Sequence, residues 1–283
     1  MAENLDHLKD WIGKTETKHD VATAWPVAAM AATFDRDDPE PRVGDAVAPG
    51  WHWLYFLEAK PASELGADGH PKRGGFLPPV PLPRRMWAGG RIEFKRPLRV
   101  GDALRRDSEI LAVEPKQGKS GNLVFVTVRY TVHTAGEVAV VEEHDIVYRD
   151  AAKATDPPPQ AKAAPSSAQW RREIAPGPVM LFRFSALTFN GHRIHYDLDY
   201  VHDEEHYPGL IVHGPMQTLL MLDLCRRNEQ RPVRKLDYRA QHPVFHTEPM
   251  TINGNPATDG SKIDLWTANG AGSYAMVGTA VLG

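Results

Sequence analysis

A single cysteine, Cys225, occurs among 283 residues, so neither an intramolecular disulfide nor a thiolate-based metal cluster can form. It follows the apolar-spaced stretch Met216 to Leu224, and the burial habit of free cysteine makes it a core thiol rather than a nucleophile. Apolar runs of 18 residues are lacking as well, which leaves no candidate for a membrane-spanning helix. The first twenty residues, MAENLDHLKDWIGKTETKHD, have neither the apolar centre of a secretory signal nor the acid-poor, Arg-rich character of a transit peptide, so the expected location is cytoplasmic. Charge of one sign is equally scarce. Lys and Arg number 33 against 36 Asp and Glu, a net −3 without long blocks of either sign, and no electrostatic footprint for nucleic acid results. What remains, 42% apolar and 24% charged, is ordinary for a globular chain and long enough for one large domain or two of usual size.

The clearest boundary is residues 151–170, AAKATDPPPQAKAAPSSAQW, where Pro, Ala and Ser replace periodic apolar residues. It reads as a linker between residues 1–150 and 171–283. On either side the two halves carry similar segments: Arg96-Pro97-Leu98-Arg99-Val100-Gly101-Asp102 corresponds to His242-Pro243-Val244-Phe245-His246-Thr247-Glu248, 146 residues later. Strand-like sequence follows each. Leu123 to His133 sets Val124, Val126, Val128, Tyr130 and Val132 on one face, and Val138 to Tyr148 is its hairpin neighbour across Thr134 to Glu137. Ile263 to Thr267 and Tyr274 to Leu282 repeat the pattern. Gly214 to Leu224 is apolar nearly all round, as suits a helix wrapped by a sheet, with Pro215 in its first turn. Its first-half counterpart is expected at Trp51 to Leu57, ahead of a Pro- and Gly-rich insertion, Pro61 to Pro83. One curved antiparallel sheet around one long helix, twice over, is an α+β double hotdog.

Thirteen histidines invite a metal reading, yet no HExxH pattern occurs, and the three-residue spacing of His192 and His195 is one that helices and turns produce routinely. No metal is expected. His202 and His206 lie in the charged stretch Tyr200 to His206 and read as surface residues. The informative feature is order: the polar loop Asn190-Gly191-His192-Arg193-Ile194-His195 precedes His213-Gly214-Pro215 and the apolar helix by about 20 residues. The Gly214 amide at that helix start can stabilise negative charge on a thioester oxygen, His195 can move a proton at neutral pH, and Asn190 can hold a water.

Loop and helix together resemble the signature of the MaoC-like enoyl-CoA hydratases, Asp-x-Asn-Pro-x-His followed by a His-Gly helix start. Asn190 falls on the Asp, His192 on the Asn and His195 on the His. The acid is replaced by an amide, so the paired Asp/His mechanism does not carry over intact. Phe184 to Asp197, Tyr207 to Pro215 and Leu82 to Gly90 look more like the subfamily of mitochondrial-type 3-hydroxyacyl thioester dehydratase, mesaconyl-C4-CoA hydratase and itaconyl-CoA hydratase.

That resemblance implies a hydro-lyase acting reversibly on an α,β-unsaturated acyl-CoA, with Asn190, His195, Gly214 and His192 catalytic and with Arg193, Arg84, Arg85, Trp87 and His213 contacting substrate. The N-terminal half is expected to have lost catalytic residues and to shape the acyl pocket. A C5 dicarboxylic acyl group suits the extra arginines, with a 3-hydroxyacyl-CoA or acyl-carrier dehydratase as the alternative. A thioesterase and an acyl-binding module are compatible with the same fold. Coenzyme A enters as part of the substrate with no other cofactor, and a further homodimer is compatible with a chain that is already a pseudo-dimer.

Overall fold

Alternating apolar residues make ten antiparallel strands among the described residues, and the order in which they pair shows how the chain repeats. The computed structural model describes residues 5–118, 121–151 and 160–283. The strands are β1 (Thr15–Val21), β2 (Arg84–Phe94), β3 (Ala103–Gly118), β4 (Gly121–Thr134), β5 (Glu137–Arg149), β6 (Trp170–Ile174), β7 (Val233–Ala240), β8 (Met250–Pro256), β9 (Lys262–Ala268) and β10 (Tyr274–Leu282). They form one sheet in the order β1-β3-β4-β5-β2-β7-β10-β9-β8-β6. This order is a palindrome: each of the first five strands has its mate among the last five, and β2 pairs with β7 at the centre, Gly89 opposite Arg239 through Glu93 opposite Lys235.

The two segments spaced 146 residues apart make equivalent hydrogen bonds, though their partners lie at other spacings. Val47 N bonds to Leu98 O and Val212 N to Val244 O; Arg96 N bonds to Ala139 O and His242 N to Ala275 O. The β4–β5 hairpin forms where alternation placed it, with Val124, Val126, Val128 and Val132 buried on one face. Its turn residues, Ala135 and Gly136, both have positive φ, as a two-residue hairpin turn requires. Of the expected linker, residues 152–159 lie outside the described residues. Beyond them the chain runs along the β9–β10 turn, Tyr274 N bonding to Lys162 O, before β6 begins at Trp170.

Among the described residues four α-helices accompany the sheet: α1 (Ala24–Thr33), α2 (Pro178–Leu187), α3 (Leu198–Asp203) and α4 (Gly214–Asn228). Every residue of α4 from Met216 to Cys225 is buried, as the all-round apolar pattern demands, and the sheet closes over it. The first half departs from expectation. Trp51–Leu54 makes a single 3₁₀ turn where a long helix was anticipated, and Phe56 already has a positive φ of 59°. Packing supplies a reason: α4 presses against this turn, so that a Cβ on Gly50 would sit 2.5 Å from Leu219 and 2.7 Å from Leu222. A Pro-containing helix that sequence reading did not anticipate, α1, packs instead against α2. No helix of the described residues is long and apolar enough to cross a membrane.

Candidate active site

The polar loop after α2 is shaped by its own side chains. Thr188 turns its hydroxyl onto the Phe184 carbonyl at 2.8 Å, Phe189 adopts a φ of 47°, and Asn190 N bonds to Ser185 O at 2.8 Å, which together end the helix. Asn190 Oδ1 accepts from His192 N at 3.0 Å, a side-chain turn that leaves the Asn190 amide NH₂ without a partner among the described residues. A 3₁₀ turn, Arg193–His195, then carries His195 inward.

His195 is buried, and its Nδ1 donates to the Ile211 carbonyl at 2.7 Å, so its Nε2 bears the lone pair. His213 lies flat against it, ring centroids 3.6 Å apart at 19°, and its Nε2 meets Ser185 Oγ at 2.8 Å. Burial pushes the His195 pKa down to about 4 despite the Ile211 bond, and that of His192 down to about 2; His213 falls well below its usual value for the same reason. All three imidazoles are neutral at pH 7.

Immediately after His213 comes the start of α4, whose first amides, that of Gly214 among them, have no intrahelical acceptor and carry the positive end of the helix dipole. A Cβ on Gly214 would stand 3.8 Å from the Trp87 side chain and from Met276, so Trp87 bounds the space in front of this amide. Trp87 meets Trp53 edge-on at 5.1 Å and His144 at 4.5 Å. Beside them Glu142, fully buried, accepts from His52 at 2.7 Å, from Trp53 at 2.9 Å and from His144. Burial opposes ionisation of Glu142, but the two imidazoles outweigh it and hold the carboxyl well below its usual range.

The inserted segment of the first half docks onto this loop. Arg193 N bonds to Asp68 O at 2.9 Å, and Gly69, at φ +85°, comes so close to Gly191 that a Cβ would overlap the Gly191 carbonyl. The approach sets the His70 ring 4.1 Å from that of His192, which lies 5.6 Å from His195. His70 Nδ1 is bonded to Asp68 Oδ2 at 3.1 Å. Neither Asp68 nor His70 was singled out from the sequence. The available signal was a Gly- and Pro-rich insertion carrying Asp-Gly-His, since loops placed on a rigid frame often carry function. Gly69→Ala is expected to cost about 1–3 kcal/mol, from the positive φ together with the overlap, and to lower turnover at least about tenfold by lifting His70 off the loop. Thermal melts and steady-state kinetics check this; a fully active variant with an unchanged melt would show that the close approach is dispensable.

Of the residues expected in the site, Asn190, His192, His195 and Gly214 are brought together, with Trp87 beside them. His213 is fully buried behind His195 and supports its ring. Arg84 and Arg85 point to opposite faces of β2. Arg84 is held by Glu205 at 2.9 Å and by the Tyr207 hydroxyl; Arg193 is held by Asp197 at 2.8 Å and lies over the Tyr200 ring at 4.4 Å. Arg85 faces inward, where its charge bears on His70, His192 and Tyr148, and no ion pair holds it among the described residues.

A tautomer-fixed imidazole beside a helix N-terminus, carried on a double-hotdog sheet, defines the MaoC-like class of hydro-lyases. Residues 50–246 match hydroxyacyl-thioester dehydratase type 2, and the chain belongs to that family. It is 43% identical to mesaconyl-C(4)-CoA hydratase of Chloroflexus aurantiacus over 274 residues, 96% of this chain and 97% of that one. Identity to the mitochondrial hydroxyacyl-thioester dehydratase type 2 of Schizosaccharomyces pombe is 26%, covering 73% and 77% of the two chains. Among solved structures, a MaoC-like dehydratase from Phytophthora capsici superposes with a TM-score of 0.70 at 13% identity, covering 99% of each chain. A double-hotdog protein of Mycobacterium tuberculosis does so with 0.57 at 14%, covering 96% of each. These two likenesses bear on the fold.

Proposed function

We propose that this hydro-lyase adds water reversibly to a mesaconyl-C4-CoA type substrate, an α,β-unsaturated CoA thioester whose β-carbon bears a methyl group and a carboxylate. The observation that carries the reading is the His195 Nε2 lone pair, held by the Ile211 carbonyl beside the start of α4. Water seated between this nitrogen and the Asn190 amide loses a proton to His195 as its oxygen bonds to the β-carbon. The π electrons move to the thioester oxygen, where the Gly214 amide and the helix dipole stabilise the enolate. Return of a proton to the α-carbon completes hydration, and dehydration is the reverse. Arg85, which makes no ion pair among the described residues and whose charge bears on His192, is the cation we assign to a carboxylate on the β-carbon. Coenzyme A is the carrier we infer, in a cytoplasmic setting.

Purified protein incubated separately with mesaconyl-C4-CoA, itaconyl-CoA and crotonyl-CoA, with products weighed for a gain of water and assayed for free thiol, tests this. Hydration of mesaconyl-C4-CoA is expected. Hydration of crotonyl-CoA alone would move the substrate to the 3-hydroxyacyl class named for the S. pombe relative, and thiol release without hydration would make the protein a thioesterase. Losing a charge-assisted hydrogen bond of about 1.5–3 kcal/mol, Arg85→Gln should raise KM for the dicarboxylic thioester on the order of 10- to 100-fold and leave crotonyl-CoA turnover alone.

A further inference from the structure

We propose that His70, oriented by Asp68, is a second acid–base residue of the site, supplied by the first half of the chain and acting on the α-carbon of the substrate. The proposal deepens the hydro-lyase reading above and rests on it. Four observations converge. The loop Asn190 to His195 contains no carboxylate of its own. The structure places one nearby from more than a hundred residues away: Asp68, His70 and His192 have side-chain donor atoms all within 4.8 Å of one another. His70 Nδ1 is taken by Asp68, which leaves Nε2 as the lone pair, without a partner among the described residues. And the segment is fitted to the loop by backbone contacts, Gly69 against Gly191 and Asp68 O against Arg193 N, which fix where His70 stands.

The electrostatics distinguish the imidazoles. Burial disfavours a proton on His195, His192 and His213; Asp68 bears on His192 through its charge, but among the described residues its carboxylate hydrogen-bonds none of the three rings. Burial acts on His70 in the same direction, as do Arg85 and Arg73, but Asp68 opposes them. Burial also opposes ionisation of Asp68, yet its bonds to His70 hold it well below the usual carboxylate range. The pair is therefore the place where a proton in transit is best offset by negative charge. A substrate carboxylate on Arg85 would neutralise one of the charges that oppose protonation of His70.

In the dehydration direction, His70 Nε2 takes the α-proton and the C–H electron pair moves to the thioester oxygen as an enolate. The enolate then collapses and the β-carbon to oxygen bond breaks with its electron pair; the proton that His70 had taken passes to His195, whose Nε2 donates it to the departing hydroxide, which leaves as water. Hydration runs the same path backwards: the proton that His195 removes from water passes to His70 and is delivered to the α-carbon. One proton is taken and one returned, and no co-reactant is needed.

The experiment compares wild type, His70→Gln and Asp68→Asn with mesaconyl-C4-CoA across pH, alongside α-hydrogen exchange in D₂O on 2-methylsuccinyl-CoA with its thioester at C4. This saturated analogue has no β-hydroxyl to lose, so deuterium gain reads the α-proton step alone. His70→Gln is expected to lose at least about 100-fold in kcat and to lose exchange, whereas His195→Gln loses hydration but keeps exchange. Asp68 raises the His70 pKa, so Asp68→Asn should lower kcat and move the acid limb of the pH profile to lower pH, a displacement that a merely structural role would not produce. Melting curves identify any variant that fails to fold, and Asp68→Asn then stands in for His70→Gln. A folded His70→Gln with more than about a tenth of wild-type kcat, or an unmoved acid limb in Asp68→Asn, overturns the proposal. So does activity that is lost to chelation and restored by zinc. Failure of the wild type to hydrate any thioester would instead sink the underlying hydro-lyase reading.

Discussion

His195→Gln is expected to lower kcat by about 10²–10⁴-fold, with KM and the melting temperature little changed. Glutamine fills much of the space of the ring but cannot accept a proton from water, and the remaining contribution of the helix start at Gly214 stays intact. Structural damage is limited because, among the described residues, the His195 side chain makes one hydrogen bond, to Ile211, and ring contacts only with His213 and His192. The sign of the pH dependence follows from burial. His195 keeps its lone pair at every pH above about 4, so loss of wild-type activity at a milder acid pH has to come from another group. Steady-state kinetics with mesaconyl-C4-CoA, paired with a thermal melt, check the expectation. A variant retaining more than about a tenth of wild-type turnover would remove His195 from the role of base.

The largest expected effect on stability lies away from the chemistry, at Asp223. This carboxylate sits in the mostly apolar buried stretch of α4 and is almost wholly buried. It accepts from Arg36 at 2.5 Å, Arg172 at 3.0 Å and Arg227 at 2.7 Å. Arg36 comes from the segment after α1 and Arg172 from β6, so one side chain ties three parts of the fold, and Arg172 and Arg227 also cap the Phe34 carbonyl. Removing one partner of a buried ion pair costs about 3–5 kcal/mol because the partners lose compensation. These guanidiniums keep some access to water, which places Asp223→Ala near the lower end, about 3 kcal/mol, or roughly 6–12 °C in Tm for a chain of this size. Calorimetry measures it directly. A shift below about 2 °C would mean that the arginines find water or Asp38 without cost.

The sequence by itself determined what local periodicity can encode. Val124 to Val132 had to form a half-buried strand because alternation leaves one face apolar, and Met216 to Cys225 had to be a wrapped helix because it is apolar nearly all round. The order of a polar loop and then a Gly-Pro helix start kept Asn190, His195 and Gly214 close in the chain, within some 25 positions, so the loop has few ways to return. The 146-residue correspondence announced the repeat that the palindromic sheet displays.

Tertiary structure decided the rest. Whether Trp51 to Leu57 continued as a helix depended on how closely α4 would press against Gly50, a contact between residues nearly 170 positions apart. Arg84 and Arg85 are chemically equivalent in the sequence, and only the pleat of β2 and the presence of Glu205 give one an ion pair and leave the other facing the imidazoles. Asp68 and His70 lie in a Pro- and Gly-rich insertion with no periodicity to read. Their place beside His192 is set by the fit of Gly69 against the Gly191 carbonyl once both halves of the sheet have formed. Burial of a face is a local property of the chain, but the meeting of two polar segments through their backbones is not, and on such a meeting the acid–base equipment proposed for this site depends.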